Sequence, residues 1–256
     1  MKVAISGKGG VGKTTIAAAL TKIFAQSGGT VYAIDADPDA CLAAAIGIPE
    51  DEALKIKPVV EMRDVIRNKS GSGAFYTLNP KVDDFLDDYS YKLGNIRFLR
   101  MGDPKKGGSD CYCRENTFLN ALITSLLLDQ QDTVILDMGA GIEHLSRGTA
   151  RGVDMMLVVV EPSRNSLNTA KHVQRMAGDL GIARIGIIAN KIRSDKEKEF
   201  LLQSFPDNAI LGFVKFSESI WANAMKSSSA AELEGELLVE MQKVCLKISG
   251  EVGGYK

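Results

Sequence analysis

Residues 7–15 read Gly7-Lys8-Gly9-Gly10-Val11-Gly12-Lys13-Thr14-Thr15, the G-x-x-x-x-G-K-S/T spacing of a phosphate-binding loop. Glycines at those places let successive backbone N–H groups turn inward around an anion. Gly9, Gly10, Val11, Gly12, Lys13, Thr14 and Thr15 are therefore the expected nucleotide-binding residues. Lys13 is placed to reach the β- and γ-phosphates, and the Thr14 hydroxyl to meet Mg²⁺. Lys8 is a second lysine of the same loop. It cannot easily fold back onto phosphates that its own backbone encloses, which leaves a neighbouring subunit's nucleotide as its target.

The second constellation is Cys111 and Cys113, in the polar run Lys105-Lys106-Gly107-Gly108-Ser109-Asp110-Cys111-Tyr112-Cys113-Arg114-Glu115. Two thiols one residue apart cannot bridge each other without strain, yet both can face one soft cation. They supply half of a tetrahedral shell. A two-fold dimer that brings two such loops together completes an S₄ site suited to Zn²⁺, Cu⁺ or square-planar Ni²⁺. Lys105, Lys106, Arg114 and the start of the following helix favour thiolate over thiol. Cys41 and Cys245 lie in apolar helical settings and are expected in the core.

These groups need elements to hold them. Apolar runs at 3–6, 31–34, 133–136, 155–160 and 185–189, with another at 211–215, carry no polar alternation, and helical patterns separate them. That is the signature of a mostly parallel sheet buried on both faces, an α/β, doubly wound, three-layer fold. Helices are expected at 14–26, 116–128 and 163–180, with a final one at 230–248 packed against the sheet. The strand at 31–34 delivers Asp35, Asp37 and Asp39 to its C-terminal end, where parallel sheets bind ligands. Asp35 and Asp39 suit Mg²⁺ waters or the cap of the next helix. The strand at 133–136 likewise delivers Asp137, and Gly141 after it would let backbone approach a γ-phosphate. Residues 49–80 read as a surface insertion with a short helix near 59–68. Strands are expected at 75–78 and 96–99, and the acidic run 83–88 as a solvated face.

The chain has 256 residues, 45% of them hydrophobic, which suits a single P-loop NTPase domain over 1–256 with a metal-binding loop at about 105–115. With 31 basic and 32 acidic residues there is no global field to attract nucleic acid or an anionic membrane. No apolar run approaches membrane-spanning length, the N-terminal residues are not a secretory leader, and four cysteines without an export signal argue against disulfides. The expected location is cytoplasmic.

The pattern K-G-G-x-G-K-T at 8–14 resembles the deviant Walker A motif of the family containing division-site positioning ATPases, partition ATPases and the nitrogenase iron protein. The segments G-G-S-D-C-Y-C-R-E-N at 107–116 and D-M-G-A-G-I-E-H-L at 137–145 further resemble the carbon monoxide dehydrogenase nickel-insertion accessory ATPases and their acetyl-CoA synthase maturation relatives. The resemblance implies a slow, switch-like ATPase that dimerises with ATP or ADP and Mg²⁺. Lys8 would cross the dimer interface, and Asp37, in the first switch, would orient the attacking water. Asp137 would be the Walker B carboxylate, and Asn190 would read adenine rather than guanine. It also implies Ni²⁺, with Zn²⁺ able to substitute, held between the subunits by Cys111 and Cys113. The client would be a nickel-iron-sulfur enzyme such as carbon monoxide dehydrogenase. His144 belongs to the matching segment, but with His172 as the only other histidine a helix-surface role is favoured. Relatives usually carry proline near Lys215, a departure that bears on the base contact. Positioning ATPases of the family end in a basic amphipathic membrane helix, whereas Glu232, Glu234, Glu236 and Glu240 here favour packing. The alternatives are a maturation ATPase for acetyl-CoA synthase, or an iron-sulfur electron-transfer ATPase of the nitrogenase iron protein type.

Overall fold

The computed structural model describes residues 1–37, 39–70, 85–102, 132–139, 153–206, 208–223 and 235–252. The strands are β1 (Lys2–Gly7), β2 (Val31–Ala36), β3 (Tyr91–Leu93), β4 (Ile96–Arg100), β5 (Thr133–Met138), β6 (Met155–Val160), β7 (Ile185–Ile192) and β8 (Ile210–Lys215). They form one sheet in the order β3-β4-β2-β5-β1-β6-β7-β8. Every neighbouring pair is parallel except the β3–β4 hairpin at one edge.

The uniform apolarity of the strands follows from what covers them. In β6, Met155, Leu157 and Val159 pack into the cluster that holds Ile16, Leu20 and Met241, while Met156, Val158 and Val160 join the cluster that holds Leu167, Val173 and Leu201. Successive side chains point to opposite faces, so a strand roofed on both sides has no solvent position to mark with a polar residue.

One face carries α1 (Lys13–Gln26), α2 (Leu42–Ile46) and the C-terminal helix, named α9 below. The other carries α4 (Arg63–Ser70), α5 (Phe85–Tyr89), α6 (Arg164–Asp179) and α7 (Asp195–Leu202). The remaining helices are α3 (Glu50–Ala53), α8 (Glu218–Asn223) and α9 (Glu236–Val252), with a 3₁₀ turn at Val59–Glu61. Ser163 caps α6 by accepting from the Ser166 N–H at 3.2 Å. Ser194 caps α7 through the Glu197 N–H, and Glu197 Oε2 in return accepts from Arg193 N at 2.6 Å, which satisfies amides at that helix start reciprocally.

Three expectations change. Residues 59–70 are more than a surface insertion, because Val59, Met62 and Ile66 are buried in the α6 face of the core. The acidic run is not simply solvated either: Phe85 and Leu86 within it are buried, and Phe85 stacks on Tyr89 at 4.8 Å. Cys245 is buried as expected, but Cys41 is exposed at the start of α2, its thiol donating to the Asp39 carbonyl. The expected strand at 75–78 and helix at 116–128 lie outside the described residues.

Candidate functional site

The phosphate-binding loop leaves the C-terminal end of β1, the middle of the sheet, and runs directly into α1. Backbone geometry explains two of its glycines. Gly7 sits so close to β6 that a Cβ there would lie 2.4 Å from the Val159 carbonyl oxygen. Gly12 has φ +96°, in the left-handed region, and a Cβ would lie 2.4 Å from Asn190 Nδ2. Three loop carbonyls are held by side-chain nitrogens: Lys8 O by Lys13 Nζ at 3.3 Å, Val11 O by Asn190 Nδ2 at 2.8 Å, and Gly10 O by Lys191 Nζ. These bonds engage the loop's carbonyls rather than its amides, of which the Val11 N–H also donates to Lys8 O at 3.5 Å.

Beside the loop, β2 and β5 pair with Asp35 opposite Asp137. Both carboxylates are fully buried. Asp35 accepts from Asp37 N at 3.2 Å and from Leu42 N at 3.0 Å, so it, and not Asp39, ties the start of α2. Burial pushes Asp35 up to about 6, against the pull of those two amides. Asp137 is more exposed to conflict, because neither of its oxygens has a hydrogen-bond partner among the described residues. Burial, followed by the negative charges of Asp35 and Asp37, pushes it up to about 7, while the Thr14 hydroxyl and Lys13 pull the other way. The Thr14 hydroxyl acts on Asp137 through its dipole without reaching hydrogen-bonding geometry. Two orphaned buried oxygens facing a lysine and a threonine of a phosphate loop fit a divalent cation, which would restore their lost hydration. Asp37 is half-buried, its Oδ1 accepting from Asp39 N at 3.1 Å.

On the other side of the loop, an open cleft of about 1000 Å³ runs along the C-terminal ends of β7 and β8. Gly10, Gly12 and Thr15 form its floor, and Glu161, Asn190, Lys191, Arg193, Phe216 and Trp221 line its walls. Asn190 lies inside β7, not after it, and is buried with both ends of its amide in use: Nδ2 on Val11 O, and Oδ1 accepting from Lys191 N at 2.9 Å. Lys215, the departure noted in the sequence, points to α9, where it pairs with Glu236 at 3.0 Å. The next residue, Phe216, carries the Arg193 guanidinium over its ring at 4.2 Å.

A phosphate loop, an orphaned carboxylate and an adjoining cleft define a nucleotide site, and comparison with known proteins tells whose it is. A family described as the CobQ/CobB/MinD/ParA nucleotide binding domain matches residues 2–229. The chain belongs to that family. A Rhodospirillum rubrum protein, the carbon monoxide dehydrogenase accessory protein CooC, is 38% identical over 91% of this chain and 90% of its own length. An uncharacterised ATP-binding protein of Methanocaldococcus jannaschii is 42% identical over 86% of this chain and 87% of that one. Among solved structures, a putative plasmid partition protein of Borrelia burgdorferi bound to AMPPNP superposes with a TM-score of 0.74 at 15% identity, covering 98% of both chains. The MinC:MinD complex of Aquifex aeolicus gives 0.67 at 18%, over 97% of this chain and 95% of that one. At such identities the structures speak for the fold alone.

This member of the CobQ/CobB/MinD/ParA family is an ATP-binding ATPase with the α/β P-loop architecture. Lys8, Gly9, Gly10, Val11, Gly12, Lys13, Thr14, Thr15, Asp37, Asp137 and Asn190 gather at the C-terminal ends of its interior strands. Cys111, Cys113, Gly141 and His144 lie outside the described residues. Glu161, Arg193, Phe216 and Trp221 were not singled out in the sequence. The available signal was position: Glu161 and Arg193 directly follow strands at their ligand-binding ends.

Proposed function

We propose that this ATPase is a dimeric nickel accessory protein that assists maturation of a nickel-containing carbon monoxide dehydrogenase. The observation that carries the reading is the 38% identity to the R. rubrum accessory protein over nine-tenths of both chains. The Cys111-x-Cys113 spacing supports it chemically, since half a thiolate shell per subunit asks for a second copy.

In the ATPase cycle the inward amides of the loop take the β- and γ-phosphates, and Lys13 leaves the Lys8 carbonyl to neutralise them. Asp137 and Thr14 would hold Mg²⁺, which would neutralise negative charge developing on the phosphates. Asp37 orients the attacking water, and Lys8 of the opposing subunit meets charge developing on the transferred phosphoryl group. Asn190 swaps one of its two present contacts for the edge of adenine. Ordering of the segments that follow Asp37 and Asp137 closes the dimer and brings the two cysteine pairs onto one Ni²⁺, and hydrolysis loosens them.

The test is anaerobic gel filtration with metal analysis, with and without ATP, Mg²⁺ and Ni²⁺. The expected species is a dimer holding about one nickel, as a shared two-fold site requires. Nickel binding should be lost in the Cys111→Ser/Cys113→Ser double variant. Equal nickel content in parent and variant sinks the reading.

A further inference from the structure

Glu161 follows β6 and is fixed by its own loop. Its backbone N–H donates to Ser166 Oγ at 3.1 Å, and the Ser163 hydroxyl reaches its Oε1 at 3.5 Å. The carboxylate then divides between two lysines: Oε1 lies 3.7 Å from Lys8 Nζ and Oε2 lies 3.6 Å from Lys191 Nζ. Lys191 in turn donates to the Gly10 carbonyl and sits at φ +61°, a costly left-handed setting for a lysine. One carboxylate thus draws both lysines toward the α6 side of the phosphate loop.

For Lys8 this position conflicts with its proposed task. Its side chain is 41% exposed and long enough to leave, but while paired with Glu161 it stays over its own subunit's loop. An ammonium cannot serve a neighbouring triphosphate and this carboxylate at once. Dimer closure therefore exchanges one ion pair for another, and the strength of the first enters the equilibrium directly.

We infer that Glu161 is a positioning residue that holds Lys8 in cis, and thereby raises the protein concentration at which ATP-driven pairing and hydrolysis set in. The inference rests on the reading of Lys8 as the residue that crosses between subunits. Glu161 is itself 24% exposed, so its hold is of the size of a solvent-accessible ion pair, a factor of about 2 to 5.

Two measurements test it. The first is acylation of Lys8 by acetic anhydride in the nucleotide-free protein, followed by peptide mass spectrometry. Glu161→Gln should raise the Lys8 labelling rate about two-fold or more, the range an exposed pair allows, while Lys55 and Lys243, paired elsewhere, label as in the parent. The second is specific ATPase activity and sedimentation against protein concentration at saturating ATP and Mg²⁺. There Glu161→Gln should move the midpoint about 2- to 5-fold lower. A purely structural role would leave Lys8 labelling unchanged and move the midpoint up or not at all; either result overturns the inference. Glu161→Asp, which retracts the same charge by one methylene, gives smaller shifts in the same directions and replaces Glu161→Gln if the latter fails to fold. Lys8→Ala separates the two claims. If that variant pairs and hydrolyses ATP like the parent, the reading of Lys8 falls. If it does not pair, while Glu161→Gln leaves the midpoint in place, only the role of Glu161 falls.

Discussion

Among the described residues the least comfortable is Asp137. Its carboxylate is buried, has no hydrogen-bond donor among them, and faces a second buried carboxylate on the adjacent strand. The unfolded chain releases the Asp137 proton near pH 3.8, whereas the fold retains it to about pH 7. The native state thus binds more protons between those values. The stability this proton confers is complete below the unfolded pKa and is lost as pH rises through the folded one. Asp137→Asn cannot ionise, so between pH 5 and pH 8 the nucleotide-free parent should lose about 2–3 kcal/mol more than the variant. Urea unfolding at the two pH values measures this, and equal losses would refute it. The same substitution should cut hydrolysis severely, because a neutral amide holds a divalent cation far more weakly than a carboxylate. Asp137 was legible in the sequence because a strand end in a parallel sheet is a ligand position. The division of labour between Asp35 and Asp39 was not, because both could cap α2 on spacing alone and only the folded register puts Asp35 within 3.0 Å of Leu42 N.

At the scale of the element, the loop between β1 and α1 is held from two directions, by Lys13 from within and by Asn190 and Lys191 from β7. Gly12 is where these constraints meet. Alanine there would adopt a left-handed φ at a cost of about 1–2 kcal/mol, and its Cβ would press on the Asn190 amide that holds Val11 O. Gly12→Ala is therefore expected to lose about 1–2 kcal/mol of stability and, more tellingly, ATP affinity measured by calorimetry. Adding Asn190→Ala removes the collision but leaves the φ strain and takes away both the bond to Val11 O and the proposed adenine contact, so affinity should not recover. Wild-type affinity in Gly12→Ala would refute the account. This loop and the long strands were readable because glycine spacing and uninterrupted apolar runs are direct prints of backbone and burial. A strand at 96–99 and a short helix near 59–68 were readable too, whereas β3, α5 and the burial of the pieces at 59–70 and 85–89 were not. They are short, and their few core residues, such as Ile66 and Phe85, stand among charges that dominate any windowed reading.

At the scale of the whole molecule, 31 basic against 32 acidic side chains leave a net charge of −1, so no long-range field selects a partner. Docking must then come from local surfaces, and the C-terminal helix shows which one is spent. In α9, Leu237, Met241, Val244, Cys245 and Ile248 are buried, and the helix packs against β8 and α1. Its outward side pairs Glu240 with Lys243 and Glu236 with Lys215, leaving Val239 and Leu246 as isolated exposed apolar residues. An interfacial helix needs a continuous apolar face and a cationic rim. Here the apolar face is already committed to the core, and withdrawing five such side chains would cost on the order of 1.5–3 kcal/mol for each large one. Sedimentation with vesicles rich in anionic phospholipid, with ATP and Mg²⁺ present or absent, should leave no more protein in the pellet than a vesicle-free control. ATP-dependent recruitment to the vesicles would place the chain with the positioning ATPases of its family and count against a metal-delivery role.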